Sequence, residues 1–76
     1  MKMSVDSQGW QDDVLWCVEQ IPTDVFSLEE AYRFEKILSK KHPENNNVRP
    51  KIRQQLQRLR DLGFIEFLGN GVYRKK

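Results

Sequence analysis

The chain has 76 residues, with 13 Lys+Arg against 11 Asp+Glu, a single Cys and a single His. At this length only a little over ~60% of the unfolded surface can be buried, so one domain is expected and an enzyme with a deep cleft of its own is not. One Cys and one His rule out an internal disulfide and a zinc site of thiols and imidazoles, and no apolar run approaches the ~18 residues of a membrane span.

The net charge of +2 conceals a division. Residues 1–44 carry 5 basic and 9 acidic side chains, a balance of −4, whereas residues 45–76 carry 8 and 2, a balance of +6. Hydrophobic residues make up 38% of the chain and include two Trp and four Phe, enough for a packed core and too many for disorder. The polar stretch Met1–Gly9 reads as an N-terminal arm or linker rather than a secretory leader, which makes a reducing cytoplasm the expected setting.

A first helix is predicted from about Trp10 to Ile21, where Trp10, Val14, Cys17, Val18 and Ile21 share one face and Pro22 ends the run. Trp16 projects from the opposite face; packing under the arm is expected, with exposure as a docking residue the alternative. A short extended piece at Asp24–Phe26 has the length of an edge strand. Ser27-Leu28-Glu29-Glu30 forms a capping box, in which hydroxyl and carboxylate each satisfy the other's backbone N–H. The helix it starts has Leu28, Ala31, Phe34 and Leu38 as its inner stripe, Tyr32 and Ile37 beside it, and Lys36, Lys40 and Lys41 toward its end. Lys41-His42-Pro43-Glu44-Asn45 is a connecting loop, because Pro43 disfavours helical geometry at His42.

The third helix is capped by Asn46 or Asn47, accepts Pro50 in its first turn and closes at Gly63. Val48, Ile52, Leu56, Leu59 and Leu62 form its core stripe. Beyond Gly63 the period becomes two: Phe64–Leu68 and Val72–Arg74 are strands joined at Gly69-Asn70-Gly71, which supplies the positive-φ residues of a tight hairpin. The order of elements predicts an α+β winged helix-turn-helix, three helices plus a C-terminal β-hairpin wing, over residues 10–76.

The excess of cations now has a location. The outer faces of the third helix read Asn47, Arg49, Pro50, Lys51, Arg53, Gln54, Gln57, Arg58 and Arg60, with no acid before Asp61. A solvated face tolerates interspersed Glu, which the first half of the chain uses freely, whereas phosphate binding penalises it. Duplex DNA is therefore the expected partner, with the helix in the major groove and the hairpin against the backbone or in the minor groove. Asn45, Asn46, Asn47, Pro50, Lys51 and Gln54 at the helix start are placed to reach base edges. Arg49 and Arg53 can read guanine or hold phosphates, and Gln57 lies on the same outer face. Asn70, Tyr73 and Arg74 are expected phosphate contacts on the wing, and Tyr32 and Lys36 could touch the opposite backbone. Val48 is core with a possible second role at the DNA.

Other chemistry finds no support. The four glycines occupy boundary or turn positions, and Asp12-Asp13 and Glu29-Glu30 are read as first-turn acids favoured by helix dipoles. Cys17 is expected as a small buried hydrophobe and His42 as a solvated loop imidazole, so neither a catalytic site, a metal nor a cofactor is expected. A rival reading of the winged helix is a protein-interaction module docking on an acidic partner or a nuclease domain, for which Trp16 would be the anchor.

The stretch from Asn45 through Leu56, with Leu59-Arg60-Asp61-Leu62-Gly63-Phe64-Ile65-Glu66-Phe67-Leu68-Gly69, resembles the C-terminal winged-helix domain of DpnI-like (Dam-replacing) methyl-directed restriction endonucleases. The resemblance covers roughly residues 10–76 and extends to Cys17-Val18-Glu19 and Ile21-Pro22. It implies double-stranded DNA binding that favours N6-methyladenine in GATC, beside a nuclease domain elsewhere in the parent enzyme, in the cytoplasm of a bacterial or archaeal cell. The nuclease carboxylates are not in this sequence, so the implied activity is reading without cleavage, by a monomeric domain. On that expectation Pro50, with Val48 or the aliphatic stems of Lys51 and Gln54, faces the methyl group.

Overall fold

The stripe Trp10, Val14, Cys17, Val18 and Ile21 is buried throughout, as a single helical face requires. In the computed structural model, which describes residues 5–76 and side chains from Gly9 onward, that stripe lies on helix α1, Val5–Gln20. The helix starts five residues before the expected position. It takes in Gly9, placed by the sequence reading at a boundary, and leaves Asp12 and Asp13 in mid-helix rather than in a first turn. The expected arm thus overlaps α1 from Val5, and its remainder lies outside the described residues. Trp16, expected to be packed, is 48% exposed.

Strand β1, Val25–Ser27, follows and passes directly into helix α2, Leu28–Tyr32. Both hydrogen bonds of the capping box form: the Ser27 hydroxyl accepts from the Glu30 N–H at 3.1 Å, and the Glu30 carboxylate accepts from the Ser27 N–H at 2.9 Å. Caps of this kind contribute about 1 kcal/mol. The expected second helix is in fact two. The N–H of Phe34 donates to the carbonyl of Ala31, three residues back, and this tight turn at Arg33-Phe34 separates α2 from helix α3, Glu35–Lys41. No Gly or Pro marks the break; it lets both Ala31 and Leu38 face helix α4 while Ile37 turns outward and is 43% exposed.

Helix α4 runs Val48–Asp61. Val48, Ile52, Leu56 and Leu59 are buried, but Leu62, expected in the same stripe, is 58% exposed. The helix has ended by then: the N–H of Phe64 donates to the Leu59 carbonyl and that of Gly63 to the Arg60 carbonyl, with Gly63 at φ 90°, the Schellman closure of a helix. The reversed chain seats Ile65 in the core in place of Leu62. Gln55, which the sequence analysis assigns to neither the core stripe nor the outer faces, is fully buried with no hydrogen-bond partner among the described residues for either amide atom.

Strands β2, Ile65–Gly69, and β3, Val72–Lys75, form the wing, with Gly69, Asn70 and Gly71 all at positive φ. The sheet order is β1-β3-β2 and both pairings are antiparallel. A bulge between Phe67 and Gly69 leaves Leu68 out of register and 46% exposed. Lys75 Nζ donates to the carbonyl of Ile21, tying the last strand to the end of α1. The fold is the expected α+β winged helix, with four helices in place of three among the described residues and one hydrophobic core between α1, α4 and the inner face of the sheet.

Candidate nucleic acid interface

Burial of Val48, Ile52, Leu56 and Leu59 fixes the rotation of α4. Pro50, Gln54 and Gln57 then project directly away from the core and are exposed. Arg49, Arg53 and Arg60 line one edge of this uncharged strip, and Lys51 and Arg58 line the other. Two rows of cations bracketing a neutral strip suit a duplex groove, whose phosphates lie on both sides and whose base edges lie between.

Acidic groups near the strip are neutralised within the chain. Asp61 Oδ1 is 3.2 Å from Arg60 Nη2, and Glu66 Oε1 is 2.6 Å from Arg74 Nη2. These are the two acids of residues 45–76, so neither opposes an approaching phosphate with an unpaired charge. Among the described residues, Lys51, Arg53 and Arg58 have no ion-pair partner, and they form the free positive charge of the helix.

Arg49 is held from two sides. Its Nε donates to Glu35 Oε1 at 2.9 Å, and its guanidinium lies 5.0 Å from the centre of the Tyr32 ring. The two terminal nitrogens remain available as a fork, in an orientation fixed by α2 and α3. Tyr32 is therefore a half-buried platform for Arg49, and Lys36 is exposed on α3.

The approach to α4 is equally specific. Asn45 Oδ1 accepts from the Asn47 N–H at 2.8 Å, a local turn that engages Asn45 in loop structure. Asn47 occupies the helix N-cap, but its side chain makes no capping hydrogen bond. The expected cap is thus a backbone position only, and the Asn46 and Asn47 amides are exposed and free. Pro50 and Gln54 form a ridge between two hollows: Asn45, Asn47 and Lys51 line one, and Tyr32, Arg49, Arg53 and Gln57 line the other.

Two expected contact residues are not surface groups. Val48 is 6% exposed and belongs to the core, because the first turn of α4 already turns that position inward. Tyr73 is also 6% exposed, its ring 5.5 Å from Phe26 and 5.2 Å from Phe67. The parity of β3 points it beneath the wing, and burial raises its phenol above the ordinary tyrosine value, with nearby Arg53 opposing the shift. Arg74 is exposed as expected but carries the Glu66 carboxylate on two of its nitrogens. Asn70 stands exposed at the hairpin tip with φ 53°. Between helix and wing a notch opens, with Arg53, Gln57 and Arg60 on one wall and Phe67, Gly71 and Tyr73 on the other.

His42 departs furthest from expectation. It stacks on Trp10 with ring centroids 4.1 Å apart and planes at 17°, and Nε2 lies 2.7 Å from Asp13 Oδ2. Asp13 lies 29 residues from His42 and Trp10 lies further still, and no local pattern in the sequence announces either contact. The pairing of Arg49 with Glu35, 14 residues apart, is equally invisible, although in an unbroken helix a Glu three residues after Tyr32 would share its face. Cys17 is buried, and burial followed by the charge of Asp13 pushes its thiol up to about 11, with Lys41 opposing; it is an inert hydrophobe at neutral pH. Among the described residues, no cluster of three His, Cys, Asp or Glu side chains could hold a metal ion, and no helix is long and apolar enough to cross a membrane.

Compared with known protein families, the chain matches the model described as a Dam-replacing HTH domain over residues 6–75, nearly its full length.

Proposed function

Because the chain belongs to the Dam-replacing HTH domain family, whose helix-turn-helix is a non-catalytic DNA-binding unit, we propose that it reads N6-methyladenine in duplex DNA, in the sequence GATC, as the specificity domain of a methyl-directed restriction endonuclease. The observation that carries the reading is the exposed ridge of Pro50 and Gln54 between free Asn amides and bracketing cations.

An unmethylated adenine offers N7 and an N6–H to the major groove, a pair that Asn or Gln grips with two hydrogen bonds. Methylation places a carbon where a donor stood, so a methyl reader needs an apolar contact beside a remaining polar one. The Pro50 ring supplies the first and the Gln54 amide, or the stem of Lys51, completes the pocket edge. Val48 is withdrawn from this role by its burial. Asn46 and Asn47 read neighbouring pairs, and the fork of Arg49 reads a flanking guanine or clamps its phosphate. Lys51, Arg53 and Arg58 grip the two backbones.

One buried methyl contributes ~1–2 kcal/mol, or roughly 5- to 30-fold in affinity. Fully methylated, hemimethylated and unmethylated GATC duplexes, titrated at one salt concentration, should bind in that descending order. Equal affinities for all three would refute the methyl-reading proposal.

A second reading has one observation in its favour. Trp16, 48% exposed on the side of α1 away from the core, suits contact with another protein segment, such as the nuclease part of a parent enzyme. That use is compatible with DNA reading, since none of the proposed DNA contacts lies on α1.

A further inference from the structure

The loop that delivers the free Asn amides to the start of α4 is secured at its first residue. His42 ends α3, its N–H donating to the Leu38 carbonyl at 2.9 Å. From there hydrogen bonds continue forward: Asn45 N–H to the His42 carbonyl at 3.0 Å, Asn47 N–H to Asn45 Oδ1 at 2.8 Å, and Lys51 N–H to the Asn47 carbonyl at 3.2 Å. Each link sets the position of the next, so the placement of Asn46 and Asn47 is referred back to His42.

The His42 side chain is in turn fixed to α1. One face stacks on Trp10, itself 2% exposed and immobile in the core. Its Nε2 donates to Asp13 Oδ2 at 2.7 Å; a carboxylate can only accept, so this nitrogen carries the proton. The Lys41 ammonium lies 3.4 Å from the other carboxylate oxygen, so Asp13 receives the last residue of α3 and its neighbour together. Stacking sets the plane of the imidazole and the hydrogen bond sets its rotation within that plane.

We infer that Asp13 and His42 are positioning residues for base discrimination, acting on the DNA through the loop and without touching it. The inference rests on the proposed DNA reading and adds to it an element, α1, that lies outside the recognition helix. Base-edge hydrogen bonds are short and directional, and fail when the loop shifts or must be ordered at the moment of binding. Phosphate contacts by Lys51, Arg53 and Arg58 are long-ranged and tolerate the same shift. Loss of the anchor should therefore weaken cognate binding selectively.

The test compares the wild-type chain with His42→Ala, Asp13→Ala and Asp13→Asn on methylated GATC and on a scrambled duplex, across a salt series. His42→Ala and Asp13→Ala are expected to lower cognate affinity about tenfold, the size of one lost base contact, with scrambled-duplex affinity and salt slope unchanged. Asp13→Asn keeps an acceptor for Nε2 and should restore most of the discrimination. Equal losses on both duplexes, or none on either, would overturn the inference. Should His42→Ala fold poorly, His42→Phe, which keeps the stack and lacks the donor, replaces it with the same expected selectivity. Amide exchange in the free protein separates this inference from the reading beneath it. Faster exchange at Asn45 and Asn47 in His42→Ala, with Leu56 and Leu59 unchanged, supports the anchor even if the wild-type chain proves to bind all duplexes alike, a result that would refute the methyl reading; unchanged exchange at Asn45 and Asn47 overturns the anchor on its own.

Discussion

The start of α4 and the wing carry similar densities of positive side chains, yet the two regions differ in how much of that charge faces outward. At the helix start Lys51 and Arg53 have no acidic partner among the described residues, and Arg49 keeps two guanidinium nitrogens free beside Glu35. On the wing, Arg74 carries Glu66, Tyr73 is buried under the sheet, and Lys75 is drawn onto the end of α1. Of the polar groups there, Asn70, the backbone of the hairpin tip and the adjoining Lys76 remain open. A count of charges along the chain makes helix and wing look equivalent; the pairings assign most of the available field to the helix.

The largest effect should come from the helix. The double variant Lys51→Ala with Arg53→Ala removes two free cations, and is expected to weaken binding on the order of 10²-fold near physiological salt and to reduce the salt slope by about two. Circular dichroism and melting should remain those of the wild-type, since both side chains lie outside the core. In the wild-type chain, if about four phosphates are neutralised, a fourfold rise in salt should lower affinity on the order of 10²-fold. A flat salt dependence would remove the groove-bracketing role of both cation rows.

Glu35→Gln, which frees Arg49 from its orienting carboxylate, has a smaller expected effect. Discrimination among base pairs should fall about threefold to tenfold, within the ~1–3 kcal/mol of a single base contact, while scrambled-duplex affinity rises slightly as a negative charge is lost. The wing variants should be weakest. Arg74→Ala removes a cation that is already neutralised, so a change of less than about threefold is expected, and Glu66→Gln should strengthen binding by a similar factor by releasing Arg74. Filter binding or anisotropy resolves all of these, and a strong Arg74→Ala defect would erase the contrast between helix and wing.

Alkali provides a comparison inside the core. Both Cys17 and Tyr73 have raised pKa values in the fold, so the unfolded chain releases their protons first. Their contribution to stability is complete below pH 9, and Cys17's is lost as pH rises from its ordinary 9.0 toward about 11, with Tyr73 adding to the loss above its own ordinary 10.0. Cys17→Ala should flatten the lower part of that decline in a melting series from pH 8 to 11.

Legibility in the sequence followed the range of the interactions. The capping box, the Gly63 closure, the Gly69-Asn70-Gly71 turn and the buried stripe of α4 from Val48 to Leu59 are written in residues a few positions apart, and each forms where its pattern predicts. The break at Arg33-Phe34 depends on how α2 and α3 meet α4, and a continuous apolar period concealed it. Leu62 satisfied the helical period but fell beyond the point where the chain reverses. Tyr73 has both polar and apolar character, and strand parity alone decided which of the two the fold uses. The His42 anchor and the Arg49 fork depend on contacts between distant segments, and spacing rules reach only the next turn. Gln55 is a different case: its amide is buried without a partner among the described residues, so replacement by Leu or Met should stabilise the domain by ~1–2 kcal/mol in chemical denaturation.

The order β1-β3-β2 also sets a schedule. Val25–Ser27 finds no mate in the hairpin's first strand; it must wait until Val72–Lys75 has been added, and that late segment completes both ladders at once. During synthesis the helices can gather early, while the sheet closes in one late step over a long loop. Until then the recognition helix has its cations but no floor beneath the notch, so an elongating chain would hold DNA weakly and without the wing.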